Sequence, residues 1–245
     1  MLRPRVIPCL LLSGRGLVKT RQFKGEKYVG DPINAVKIFN EKQVDELCIF
    51  DIHAWQSGTP DFPLLESIAV ESRMPLCYGG GVVSADQARR IVSLGYEKVS
   101  LSSAALRSPR LVSDVAAAIG GQSTVVTLDV AQEQRSGRYG VFIENGSKRL
   151  ECDLLEVCDE VVASGAGEII VNSIDREGEM QGYDIDLARS LRSRLRCPLT
   201  FMGGAGTVQH MRDLIDAVGT VGVGAGTMFV FKGPFRAVLI SYAKP

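Results

Sequence analysis

The chain has 245 residues, 45% of them hydrophobic, which is enough to bury a large core in one barrel-sized domain or two smaller ones. Its 28 basic and 28 acidic residues cancel, so no general field attracts nucleic acid or acidic membranes, and an anionic ligand must be held by local groups. The N-terminal apolar run is too short to cross a bilayer, and Pro4 and Pro8 do not suit a signal-peptide helix, which predicts a cytoplasmic protein without nucleic-acid or membrane partners.

Short apolar runs alternate along the chain with amphipathic stretches of helical length. The predicted strands are residues 5–11, 46–51, 75–78, 98–101, 124–129, 168–172, 198–202 and 220–223. The predicted helices are residues 32–43, 62–71, 85–94, 109–119, 154–163, 185–195, 208–217 and 234–242. Eight such units in about 250 residues predict one α/β domain over residues 1–245, a closed (β/α)8 TIM barrel. A doubly wound open sheet is the alternative.

The sequence repeats itself between its two halves. PLCYGGGVVSADQARRIVSLG, from Pro75, parallels PLTFMGGAGTVQHMRDLIDAVG, from Pro198. This predicts a two-fold half-barrel repeat, in which the first strand corresponds to the fifth and Leu11 lies opposite Asp129. Residues 131–151 are predicted to form a hairpin insertion after strand five, with turns at Ser136-Gly137 and Asn145-Gly146, standing over the barrel mouth.

The six cysteines contain no CxxC pair, and four of them lie inside apolar, strand-like runs. In such runs cysteine packs as a small hydrophobe. We therefore interpret them as buried reduced thiols rather than as metal ligands or disulfides. With only two histidines in the chain, the sequence predicts no metal site and no cofactor.

Active sites of such barrels lie at the C-terminal ends of the strands, so the residues just after each apolar run are the candidates. They are Lys19, Asp51, Gly80, Gly81, Ser102, Ser103, Asp129, Asn172, Asp175, Gly203, Gly204, Gly226 and Thr227. Glycines followed by small hydroxyl residues occur after strands three and four and again after seven and eight. Two such sets predict cradles for a ligand with a phosphate at each end. Tight strand-to-helix turns are the alternative explanation for these glycines.

Asp129 ends the fifth predicted strand. A carboxylate at this position can act as a general acid or base, orient a ligand, or only cap the hairpin that follows. Asp51 and Asp175 have the same open set of roles. The residues alone therefore do not decide between catalysis and structure.

Ordered motifs over nearly the whole chain resemble the cyclase subunit of imidazole glycerol phosphate synthase, an enzyme of histidine biosynthesis. They are RVIPCL, GDP at Gly30, DEL before Asp51, GGG at Gly79, KVS at Lys98, GAGEI at Gly165, SIDREG at Ser173 and GGAG at Gly203. The resemblance implies a (β/α)8 barrel that binds a bisphosphate substrate at its C-terminal face. It also implies a glutaminase partner, docked on the N-terminal face, that supplies ammonia.

The resemblance also shows where this sequence departs from the family. Two aspartates, at the ends of strands one and five, are the acid and base of cyclisation there. Asp129 matches the second, but Leu11 stands in place of the first, and leucine cannot exchange a proton. Ser102 replaces an expected asparagine, and Glu177 replaces an aspartate. Losing one of two paired groups should cripple ring closure, since each contributes about two to four powers of ten.

At the opposite end of the barrel the family pattern is complete. By motif, Arg5, Glu46, Lys98 and Glu168 match a ring of four charged residues that gates ammonia in the family. Each lies at the start of a predicted strand, so together they form a layer at the bottom of the barrel. A salt-bridge plug is the structural alternative, and it is compatible with gating.

These features favour an ammonia-channelling paralogue with weak or lost cyclase activity. The sequence resembles the second cyclase-like subunits found with bacterial surface-polysaccharide genes, where a glutaminase and this barrel supply ammonia to a separate sugar amidotransferase. A working cyclase of histidine biosynthesis, producing imidazole glycerol phosphate and the aminoimidazole ribotide, is the alternative. A third hypothesis is a scaffold that binds the glutaminase and conducts nothing.

Overall fold

Eight parallel strands pair edge to edge until the last returns to the first. The computed structural model, which describes residues 3–133 and 136–245, places the strands in the closed order β1, β4, β5, β6, β7, β10, β11, β12. Their bounds are Arg5–Ser13 (β1), Leu47–Asp51 (β4), Leu76–Gly79 (β5), Lys98–Leu101 (β6), Thr124–Gln132 (β7), Glu168–Ser173 (β10), Leu199–Met202 (β11) and Gly222–Ala225 (β12). The predicted (β/α)8 barrel is confirmed, and the open-sheet alternative is wrong.

Helices lie between and after the strands of this barrel along the chain. They are Pro32–Glu41 (α1), Ala54–Ser57 (α2), Phe62–Glu71 (α3), Ala85–Ser93 (α4), Ser103–Arg107 (α5), Arg110–Ile119 (α6), Leu154–Ala163 (α7), Ile185–Arg194 (α8), Val208–Val218 (α9) and Thr227–Val230 (α10). Side-chain caps begin several of them; Asp31, Asp61 and Ser84, for example, accept hydrogen bonds from first-turn amides. Among the described residues, no helix combines the length and apolarity needed to cross a membrane.

Two hairpins extend the barrel beyond its C-terminal end. One follows β1 and consists of β2 (Gly16–Arg21) and β3 (Lys24–Gly30); the other follows β7 and consists of β8 (Tyr139–Ile143) and β9 (Lys148–Arg149). The second confirms the predicted insertion, although its residues 134 and 135 lie outside the described residues. The first was not predicted. The two tips meet over the mouth, since a Cβ on Gly146 would lie 3.1 Å from the Phe23 ring.

The predicted helix at residues 234–242 is wrong. The chain instead forms a small antiparallel pair, β13 (Phe231–Lys232) and β14 (Ala237–Val238). Gly233, with φ 72°, helps to form the turn between them. Beyond it, the Leu239 and Ser241 amides donate to the carbonyls of Val230 and Phe229, so backbone pairing with the preceding segment replaces helical bonds.

Candidate active site

A cleft lies at the C-terminal ends of the barrel strands. Its walls contain all but one of the residues predicted for a ligand site, although these are up to 208 positions apart in sequence. They are Lys19, Asp51, Gly80, Gly81, Ser102, Ser103, Asp129, Asn172, Gly203, Gly204, Gly226 and Thr227. The parallel strands deliver them to one place because every strand ends at the same rim.

Asp175 is the exception. It lies in a 3-10 turn, Ile174–Arg176, that directs its exposed side chain to the extension of β7. There the carboxylate accepts a hydrogen bond from the Gln132 amide at 2.7 Å. Asp175 therefore supports the base of the hairpin and does not line the cleft, contrary to the expectation from its position after strand six.

Backbone crowding accounts for part of the glycine pattern. A Cβ on Gly80 would lie 2.6 Å from the Asp51 carbonyl oxygen, and one on Gly203 would lie 2.5 Å from the Ser173 carbonyl oxygen. Both glycines also have positive φ, 136° and 93°. Packing between neighbouring strand ends thus requires glycine at these two positions whether or not an anion binds there.

Gly226 is different, because its neighbour is a charged side chain. A Cβ on this residue would collide with the Lys19 ammonium group. Lys19 lies on β2, is 4% exposed, and donates to the Cys9 carbonyl at 2.7 Å. Burial lowers the pKa of Lys19, while the charge of Glu177 opposes that shift. The hairpin after β1 therefore inserts a cation beside the second glycine set.

Asp129 forms the polar side of the cleft together with Asn172. The two are register partners on β7 and β10, and the Asn172 amide donates to the Asp129 carboxylate at 3.1 Å. Burial raises the pKa of Asp129 to about 7, and the hydrogen bond from Asn172 opposes the shift. A carboxyl group tuned near neutrality can both accept and donate a proton in this pH range.

Leu11 lies on the opposite wall. Along the closed barrel, β1 and β7 are four strands apart in either direction, so their ends face each other across the mouth. Leu11 is half-buried, lines the cleft, and pairs in register with Phe50 on β4. One side of the cleft is therefore hydrocarbon at the level where the other side carries a carboxyl group. The predicted opposition of Leu11 and Asp129 is confirmed.

Asp51 has a structural task in addition to lining the cleft. Its carboxylate accepts from the amides of His53 and Ala54 at 3.1 and 3.0 Å, which fixes the start of α2. Burial raises its pKa, and these two bonds oppose the rise. Only one of its oxygens is used in this way, so the other remains available to a ligand.

Sequence reasoning missed several residues of the cleft. Trp55 lines it with a buried indole N–H that has no hydrogen-bond partner among the described residues, and Asn145 lines it from the tip of the second hairpin. The side-chain amide of Asn145 donates to the Ile52 carbonyl, and the backbone N–H of Glu144 donates to the Ser103 hydroxyl at 2.9 Å. Phe23, on the first hairpin, lines the cleft as well. The half-barrel repeat could have revealed that hairpin, because strand five has one.

A closed ring of charges lies at the other end of the barrel. Arg5 donates to Glu46 and, at 2.6 Å, to Glu168; Lys98 donates to Glu46 at 2.9 and 3.0 Å and to Glu168 at 2.9 Å. Thr200 donates a further hydrogen bond to Glu168 at 2.5 Å. Both glutamates are 4% exposed. The predicted ring is thus assembled with cations and anions alternating.

Between this ring and the cleft lies a core of small and apolar side chains. It contains Ile7, Cys9, Cys48, Cys77, Val125, Ile170 and Met202, with Phe50 packed against it. Such a core disfavours ions but admits a small neutral molecule more readily. The barrel interior therefore separates two polar ends by an apolar layer.

Comparison with known proteins gives a consistent family. The family described as "Histidine biosynthesis protein" matches residues 5–235. A Leptospira borgpetersenii protein, provisionally named imidazole glycerol phosphate synthase subunit HisF, is 51% identical over 243 residues, covering 99% of this chain and 96% of the relative. A Pseudomonas aeruginosa protein, provisionally named subunit hisF2 of the same synthase, is 46% identical over 243 residues with the same coverage. The imidazole glycerol phosphate synthase subunit HisF of Exiguobacterium sibiricum is 37% identical over 218 residues, covering 89% of this chain and 87% of the relative.

Proposed function

This chain belongs to the histidine biosynthesis protein family, as a HisF-type subunit of the imidazole glycerol phosphate synthase kind, and from that membership we propose that it receives ammonia from a glutaminase while its own cyclase activity is weak or lost. The main observation behind this proposal is that the two facing walls of the cleft differ in chemistry. Asp129 holds one of two facing positions, and Leu11 fills the other with hydrocarbon.

The barrel interior supports the ammonia route. The ring of Arg5, Glu46, Lys98 and Glu168 is the polar end at which ammonia is admitted, and the apolar core leads from it to the cleft. Ammonia is small and neutral, so it crosses this core with less desolvation than ammonium. The gate would act by a rearrangement of one ion pair, with the remaining pairs keeping the charges satisfied.

The cleft itself is proposed to hold phosphate-like anions at its two glycine sets. Near the second set, the buried Lys19 ammonium offers a positive charge. Near the first, the buried Ser102 hydroxyl has no hydrogen-bond partner among the described residues. Both features suit a phosphorylated ligand that spans the mouth.

We assign the ammonia to a separate acceptor enzyme of the sugar amidotransferase class. This assignment rests on the resemblance to the cyclase-like subunits that accompany surface-polysaccharide genes. A working cyclase is the second candidate, and one observation favours it. The Asp129 pKa of about 7 is already suited to proton transfer, so a single tuned carboxyl group could sustain slow chemistry.

One assay separates these two functions. The isolated protein is given the family's bisphosphate substrate with a high concentration of ammonium at alkaline pH, and loss of substrate is followed. We expect turnover at least a hundredfold below that of a HisF subunit with both aspartates, because one of the paired acid and base groups is absent. Asp129→Asn provides the baseline. Turnover comparable to the two-aspartate enzyme, and removed by Asp129→Asn, would establish the working cyclase instead.

We also expect a one-to-one complex with the cognate glutaminase through the N-terminal face. Glu97 is exposed on that face, directly before the ring residue Lys98. Glu97→Lys should weaken the complex about tenfold, whereas Glu66→Lys, the same charge reversal on the exposed side of α3, should leave it unchanged. Sizing chromatography and glutamine hydrolysis report the outcome. Failure of the folded wild-type proteins to associate, or to stimulate hydrolysis, would contradict the channelling function.

A further inference from the structure

Three cysteines form a row across neighbouring strands inside the barrel. In register, Cys9 on β1 pairs with Cys48 on β4, and Cys48 pairs with Cys77 on β5. All three are buried and belong to the core between the charged ring and the cleft. Because in-register residues of adjacent strands share a face, their thiols lie side by side.

The neighbouring ligand atoms are close enough to share one ion. The Cys48 and Cys77 sulfurs and a Glu46 oxygen all lie within 4.8 Å of one another. Glu46 is already bonded to Lys98 and Arg5, so its oxygens are engaged. The thiols are therefore the available ligands. The Cys9 thiol donates a weak hydrogen bond to the Ile7 carbonyl at 3.3 Å.

The ligand set selects a class of metal. Structural zinc takes four nitrogen or sulfur ligands in a tetrahedron, and both histidines lie elsewhere, His53 beside Glu26 and His210 on α9. Soft sulfur ligands without nitrogen or oxygen partners favour copper(I). We propose that Cys48 and Cys77 bind one soft monovalent cation of the copper(I) class between their two sulfurs in the barrel core.

Binding replaces protons and involves no change of oxidation state. Each ligating thiol releases its proton to solvent as a metal–sulfur bond forms. Two thiolates and one monovalent cation leave one negative charge, and the Lys98 ammonium lies nearby, because Cys77 and Lys98 are register partners.

The ion can arrive from the cleft. Of the three thiols in the row, that of Cys9 belongs to a residue that lines the cleft wall as well as the core. Exchange from Cys9 to Cys48 and Cys77 then carries the ion inward along the row. A cation held there would obstruct the passage from the ring to the cleft; this consequence rests on the proposed function, but binding itself does not.

The test uses the full-length protein under anaerobic, thiol-free reducing conditions. Copper(I) is supplied as its complex with a chromophoric chelator, and the protein is expected to withdraw one equivalent. Cys48→Val and Cys77→Val should each reduce the apparent affinity at least tenfold. Cys158→Val is the matched control, since Cys158 is equally buried but lies on α7 outside the barrel; it should behave as wild type.

Thermal melting of each metal-free variant establishes that it is folded, and Cys77→Ser supplies a second substitution if valine disturbs the core. The proposal is overturned if wild-type protein withdraws no copper(I), or if the equivalent survives in folded Cys48→Val and Cys77→Val. Loss in Cys158→Val alone would place the metal elsewhere and also overturn it. Neither substrate nor glutaminase is present, so failure here is independent of the proposed function.

Discussion

Lys98→Met should lower the free energy of unfolding by about 3–5 kcal/mol at neutral pH, the range typical of breaking a buried ion pair from one side. Lys98 donates hydrogen bonds to both oxygens of Glu46 and to one oxygen of Glu168. Without it, two buried carboxylates share Arg5, whose side chain is 30% exposed, and repel one another. Urea denaturation at pH 7 measures the loss.

The matched control is Lys37→Met, which removes the same charge from an exposed helix position. Lys37 lies 3.8 Å from Glu71 with more than half of its side chain exposed, so the change should stay within about 0.5 kcal/mol. If Lys98→Met is no more destabilising than Lys37→Met, the ring does not hold its charges as a mutually dependent set.

The pH dependence of this deficit follows from Glu168. Burial alone would raise its pKa, but the charges of Lys98 and Arg5 hold the pKa below its usual 4.5. A lowered carboxyl pKa gives stability that is present above the unfolded value and is lost as the pH falls through the folded value. Removing Lys98 raises the pKa of Glu168. As the pH falls, Glu168 is therefore protonated at a higher pH in the variant than in wild type, and its unpaired buried charge is lost. The difference between wild type and Lys98→Met should therefore shrink as the pH falls toward 4.5.

The parts of the fold that the sequence predicted are those with a strong local pattern. Barrel strands buried on both faces read as continuous apolar runs, and helices with Asp, Ser or Thr caps have clear starts, so both were placed within a few residues. Residues 234–242 failed because a proline after glycine and scattered apolar residues imitate a helix start. Pairing of Leu239 and Ser241 with the preceding segment decides the conformation, and that contact is tertiary.

The candidate site was predictable where it depends on strand ends and unpredictable where it depends on the hairpins. Asp129 and Leu11 follow directly from the repeat. The sequence placed Lys19 only as a residue beyond strand one, whereas in the structure Lys19 lies on β2 and is buried. Trp55 and Asn145 come from segments whose position over the mouth is set by long-range contacts, such as that of Asn145 with Ile52. No local pattern encodes such contacts.

Leu11→Asp should raise ammonia-dependent turnover of the bisphosphate substrate by roughly ten- to a hundredfold over wild type. The new carboxylate would lie near the end of β1, across the mouth from Asp129, which restores a facing pair. The gain should fall short of the two to four powers of ten that a tuned acid or base contributes. Phe50, the register partner of Leu11, offers it no hydrogen bond.

Controls distinguish proton transfer from a general opening of the cleft. Leu11→Asn introduces a polar side chain of nearly the same shape as aspartate. It cannot exchange a proton at neutral pH, so it should give no gain in turnover. Asp129→Asn in the Leu11→Asp background should remove the gain, because the second carboxyl group is then missing. Circular dichroism and thermal melting establish folding, since burial of a new carboxylate destabilises the barrel. If wild type turns over substrate at a rate that Leu11→Asp does not change but Asp129→Asn abolishes, one carboxyl group suffices, and the leucine marks an altered cyclase mechanism rather than a lost one.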